Sequence, residues 1–178
     1  MLNCTGDENL LEPQIPTDDL LEEFIQTNRR NLVADNYQMS CRYYFYLSNH
    51  VKKQYDVSYL TADAKCRSKK AVIVRFHSRF EVCRIVRKIL TMEREQKANQ
   101  RLLPHDLIDF PQSLWIDQEV SSDDASDQVR NDLLCPGETV ELLSRGYYAA
   151  LDFSQTHACL KVVPRNSNRQ FICKRCFK

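Results

Sequence analysis

The sequence predicts an α+β fold built mainly from antiparallel strands, on three observations. Apolar residues alternate with period two over residues 39–47, as on a strand whose successive side chains point to opposite faces. Residues 71–76 repeat that alternation, and from residue 78 the spacing of Val82, Ile85, Val86, Ile89 and Leu90 switches to the helical period. The tail then breaks into short runs of β-formers separated by turn residues.

Taken in order, residues 1–16 hold two prolines and no apolar period, and read as a flexible lead-in to a single domain over 17–178. Thr17 is placed to cap a helix whose first turn carries Asp18 and Asp19, with Arg29 and Arg30 suited to its C-terminal end. Its stripe of Leu20, Leu21, Phe24 and Ile25 is a candidate partner-binding face; packing on its own domain is the competing role. Over 39–47, one face carries Met39, Cys41, Tyr43, Phe45 and Leu47, and the other carries Ser40, Arg42, Tyr44 and Tyr46. A second strand is expected at 55–60 and a third at 71–76. Ser78-Arg79-Phe80-Glu81 has the form of a capping box, opening a helix that runs to about residue 96. A strand at 113–120, an acidic mobile loop at 121–132 and strands at 139–143, 147–153, 157–163 and 169–173 complete the chain.

The chain has 178 residues, 43% of them hydrophobic and 28% charged, which suits one globular domain. No apolar run reaches the ~20 residues of a membrane-spanning helix, and no secretory signal is read at the N-terminus. A nuclear location is therefore expected (a cytoplasmic one is the alternative), not secretion. In such a compartment the eight cysteines are expected as buried thiols or metal ligands. Asn3-Cys4-Thr5 matches a glycosylation sequon that an intracellular chain would not use.

The net charge of +1 hides segregation: −7 over residues 1–28, +11 over 29–101, −9 over 102–141 and +6 over 142–178. Two basic blocks suit a polyanion partner, or they pair with the acidic ones within the fold.

With three glycines, Gly6, Gly137 and Gly146, the chain cannot build a phosphate-cradling loop, and it has no nucleophile-elbow or zinc-protease motif. No enzymatic activity and no small-molecule substrate are expected. Zinc is the one cofactor considered: Cys173 and Cys176 form a C-x-x-C pair, and His157 with Cys159 would complete a Cys₃His set. The competing reading of the same residues is buried thiols and an exposed histidine. For nucleic acid, the Arg42, Tyr44 and Tyr46 face offers cations for phosphates and rings for base stacking, with Lys69, Lys70 and Arg75 extending it. The competing reading packs those rings in the core.

The strand–strand–strand–helix–strand order from residue 37 to 120 resembles the OB-fold, whose helix lies between its third and fourth strands. On the patterns at 39–47, 71–76 and 78–90, the chain resembles small OB-fold subunits of single-stranded-DNA-binding and chromosome-end (telomere) capping complexes, such as the fly proteins of the Modigliani and Verrocchio type. That likeness implies a barrel with extra C-terminal strands and a role as a non-catalytic subunit that protects single-stranded DNA alongside other protein subunits. The alternatives are a protein–protein adaptor without nucleic-acid contact and a small zinc-stabilised module.

Overall fold

A computed structural model describes residues 2–4, 23–32, 37–76, 79–99, 101–103, 107–117, 133–138, 147–154 and 157–177. Among these residues it is an α+β fold, mostly strands, with one curled half-barrel sheet and two helices. The strands are β1 (Leu2–Asn3), β2 (Glu23–Leu32), β3 (Tyr37–Tyr46), β4 (Val72–Ile73), β5 (Ser113–Trp115), β6 (Tyr148–Phe153), β7 (His157–Val163) and β8 (Gln170–Phe177). The helices are α1 (Tyr59–Ser68) and α2 (Arg79–Ala98). The sheet order is β1-β7-β6-β5-β8-β3-β2, with β4 also pairing to β8. Every pairing is antiparallel except β5 with β8.

The alternation in β3 partitions as its sequence predicts, and both of its faces are buried. Cys41, Tyr43 and Phe45 join Leu114, Leu151, Leu160 and Ile172 beneath Val82, Ile85, Val86 and Ile89 of α2. Tyr44 and Tyr46 join Ile73, Trp115, Phe171 and Cys173 beneath Tyr59, Ala62 and Cys66 of α1. One helix per face thus covers the central strands, an arrangement that buries two aromatic-rich cores in a chain of modest size.

Three expected elements are corrected. The N-terminal helix is absent over its described part: Phe24 and Ile25 lie on β2, facing Phe45 and Tyr44 in the register with β3. The edge of β3 not taken by β8 needs backbone partners, and β2 supplies them along its whole length, outweighing a weak helical stripe. Thr17, Leu20 and Leu21 lie outside the described residues. The strand expected at 55–60 is instead one bridge, Val57 to Arg169, followed by α1. Ser58 caps that helix, its hydroxyl accepting from the Thr61 amide at 3.3 Å, and Tyr59, Ala62 and Cys66 recur on its buried side. The lead-in is not free at its start: Leu2 and Asn3 pair with Ala158 and His157, and Cys4 is buried.

The helix expected from residue 78 is α2, which runs to Ala98; Ser78 lies outside the described residues. Near its end Gln96 clamps the passing chain, accepting from the Ile108 amide at 2.8 Å and donating to the Ile108 carbonyl at 3.0 Å. Strands occur as expected at β5, β6, β7 and β8, whereas the acidic segment 121–132 and the strand at 139–143 lie outside the described residues.

The cysteines are the largest departure. All eight pair, as Cys4–Cys83, Cys41–Cys176, Cys66–Cys173 and Cys135–Cys159, so the expectation of thiols is corrected. The bridges tie the residue after β1 to α2, β3 to β8, α1 to β8, and the turn at 135–138 to β7. In that turn Gly137 sits at φ +84, a left-handed position that follows Pro136 and brings the Glu138 amide to the Cys135 carbonyl at 3.0 Å.

Candidate functional site

The C-x-x-C spacing that suggests a metal half-site acts differently on a strand. Residues three apart on β8 face opposite ways, so Cys173 enters the α1 core and Cys176 packs on the α2 side. Each sulfur is bonded elsewhere, to Cys66 and Cys41. Cys159 is bonded to Cys135 and His157 is exposed. The Cys₃His zinc set is therefore corrected, and among the described residues no group of three or more His, Cys, Asp or Glu is placed to hold a metal ion.

The stacking surface is corrected on the same grounds. Tyr44 is 6% exposed and Tyr46 0% exposed, with Tyr46 stacked on Phe171 at 4.7 Å between centroids. The rings continue under α1, where Tyr59 stacks on Tyr148 at 4.5 Å and meets Trp115 edge-on at 5.8 Å. Cations line this layer at its margin: Lys65 stands 5.9 Å from the Tyr46 ring, Arg165 lies 5.4 Å from Tyr148 and Arg169 lies 5.2 Å from Trp115. Arg169 also donates to Ser113 Oγ at 2.8 Å, and burial lowers its pKa, partly opposed by Asp152. These cation–ring contacts are made by Lys65, Arg165 and Arg169, not by the cations of the expected face, and they belong to the layer under α1. Arg75 is likewise committed, to Asp117 at 2.6 Å.

The remaining cations of the expected site gather at the C-terminal end of α1. The Cys66–Cys173 bridge fixes that end over β8, and Arg175 is the next residue on the same face of β8. Arg42 is its cross-strand partner on β3, and Lys69 and Lys70 follow α1 directly. Lys70 takes a left-handed φ of 55 that turns the chain, with the Ala71 amide closing on the Cys66 carbonyl at 3.0 Å. Lys70 and Lys65 are exposed, and Arg42, Lys69 and Arg175 are half-buried. Arg42 thus lies opposite Arg175 in the sheet, and Lys69 and Lys70 follow the end of α1, without the tyrosines. Arg175 is the member that sequence reasoning missed; its signal was the alternation of β8, which puts it two residues beyond Cys173.

Two further polar groups were not anticipated. On the α2 side, the Lys174 ammonium donates to the Glu81 carboxylate and, at 3.0 Å, to the Arg75 carbonyl. The Tyr43 hydroxyl donates to the same Glu81 oxygen at 2.7 Å. Tyr43 and Lys174 are direct cross-strand partners, and Glu81 reaches them from the first turn of α2. The glutamate of the expected capping box is therefore the centre of a buried ion pair.

The second group lies where residues 48–56 meet Asp109. Gln170 accepts from the Ser48 amide at 2.8 Å and donates to the Asp109 carbonyl at 2.7 Å. The Lys53 ammonium donates to Asp109 at 2.9 Å, which raises the pKa of Lys53, mainly through that bond and then through the charge of Asp109. Burial, and then the Asp109 charge, raise the pKa of Asp56 above its ordinary 3.8 against the opposing influence of Lys53, Gln170 and Ser48. With its folded-state pKa raised, Asp56 binds a proton more readily in the folded chain, so its contribution to stability falls as pH rises from about 3.8 through the raised value. Asp56→Asn is expected to leave stability at neutral pH unchanged or slightly higher and to remove that pH dependence, as read from urea midpoints across the acidic range.

No protein-family model, no curated protein and no solved structure matches this chain.

Proposed function

We propose that this chain is a non-catalytic binding domain built for an oxidising compartment, which offers the basic end of α1 to a polyanionic partner. The pairing of all eight cysteines carries this reading, because structural disulfides form and persist where thiols are not kept reduced. Bridges to β8 from β3 and α1 hold the cations of the patch in a fixed array, so little ordering cost remains on binding. Arg42, Lys69, Lys70 and Arg175 supply the charge, and attraction to a sulfated or phosphorylated polymer needs no exposed ring.

The nuclear single-stranded-DNA expectation is not carried forward. Its single-stranded-DNA contact used Tyr44 and Tyr46 as stacking surfaces, and both are buried. The OB-fold likeness adds no weight, since the second strand it requires is replaced by the start of α1.

The compartment is tested by alkylating the protein under denaturing conditions as it is taken from its cells. No group should be taken up before reduction and eight afterwards; uptake without reduction would overturn the reading. The surface is tested with a heparin fragment as probe. Affinity should fall with salt, and Lys69→Glu and Lys70→Glu should each lower the slope of log affinity against log salt by about 1. An unchanged slope in both variants would remove the patch from the proposal.

A further inference from the structure

We propose that Asn3 is an N-glycosylation site. This rests on the oxidising-compartment reading above, and it gives meaning to a motif that an intracellular chain would leave unused. Asn3-Cys4-Thr5 is the only Asn-x-Ser/Thr sequence in the chain, and its middle residue is not proline.

The geometry suits a bulky polar addition. Leu2, Asn3 and Cys4 alternate inward, outward, inward: Leu2 packs on the α2-side core, Cys4 is buried in it, and Asn3 is exposed. Asn3 lies on an end strand of the sheet, opposite the exposed His157. A sugar on its side-chain nitrogen would project from the outer face without displacing a core residue. The neighbouring Cys4–Cys83 bridge would not block transfer, because Cys83 follows 79 residues later in the chain. Asn3 therefore meets the transferase before that bridge can close, while the acceptor is still an open segment.

The donor is a lipid-pyrophosphate-linked oligosaccharide. The Asn3 Nδ2 forms a bond to the sugar C1 as the C1–oxygen bond to the pyrophosphate breaks. The lipid pyrophosphate departs as the leaving group, and the amide nitrogen loses one proton. No electron transfer is involved.

The test expresses the full chain behind a cleavable secretory leader in a eukaryotic cell and reads total protein, retained and secreted alike, so that poor export does not hide the result. A peptide amidase specific for N-glycans should lower the mass of the chain and convert Asn3 to Asp, and Thr5→Ala should abolish both changes. Thr5→Ser, which keeps the acceptor sequence, should restore them. A chain with all eight cysteines paired and no sugar at Asn3 would overturn this inference and leave the proposed compartment standing. A glycosylated chain with free thiols would do the reverse. A chain with neither sugar nor bridges would overturn both.

Discussion

Lys174→Met is expected to destabilise the fold by about 3–5 kcal/mol, the range for removing one partner of a buried ion pair. Lys174 is 4% exposed and Glu81 is 2% exposed, so water cannot replace the lost ammonium. The carboxylate left behind keeps the Tyr43 hydroxyl as a donor at 2.7 Å. It should therefore take up a proton on folding, and the deficit should shrink as pH is lowered. Glu81→Leu combined with Lys174→Met should recover most of the loss, because an apolar pair of similar volume avoids the cost of desolvating two charges. Urea unfolding of the single and double variants measures both effects. A single variant within about 1 kcal/mol of the parent would mean that the pair is solvated, contrary to its placement between β3, β8 and α2.

Removing the Cys66–Cys173 bridge with paired alanines is the second large effect. Both cysteines are 0% exposed, and the bridge is the covalent tie between α1 and the sheet. Although 107 residues separate the two, the Cys41–Cys176 bridge offers a shorter covalent path of roughly 28 residues between them. Loop-closure entropy over that path amounts to about 3–4 kcal/mol, to which the lost packing of two buried sulfurs adds. Amide exchange should quicken most in α1, and Tyr46 and Trp115 beneath it should become reachable by solvent. Protection of α1 equal to that in the parent would show that packing alone holds the helix down.

What the sequence made legible is what depends on neighbours in the chain. The period of two in β3 and the spacing of Val82, Ile85, Val86 and Ile89 reflect local geometry, and both survive in the fold. Alternation tells which residues share a face; it does not tell whether that face meets water. Tyr44 and Tyr46 were assigned to the correct side of β3 but cannot reach a ligand, because α1 lies over them. The signal for α1 was available in Ser58 and in the recurrence of Tyr59, Ala62 and Cys66, and was masked by the β-forming residues at 55–60.

The cysteine pairing was not legible, because it joins residues between 24 and 135 positions apart and depends on the register of β8 against β3. That register also explains why Cys173 and Cys176, adjacent in a motif, serve opposite faces of the sheet. Glu81 was read from its local role at a helix start, whereas its long-range partners, Tyr43 and Lys174, lie on two strands. Charge segregation was visible, yet where each cation lies was a matter of tertiary placement: Arg75 turns to Asp117, and Arg175 lies opposite Arg42 in the register of β8 with β3.

The central claim is that one sheet is pinned on both of its faces by bridges from β8, and a disulfide map tests it most directly. Proteolysis without reduction, with thiols blocked beforehand, should release linked peptides joining Cys41 to Cys176, Cys66 to Cys173, Cys4 to Cys83 and Cys135 to Cys159. Recovery of Cys173 and Cys176 as free thiols, or of either one joined to a different partner, would contradict the account.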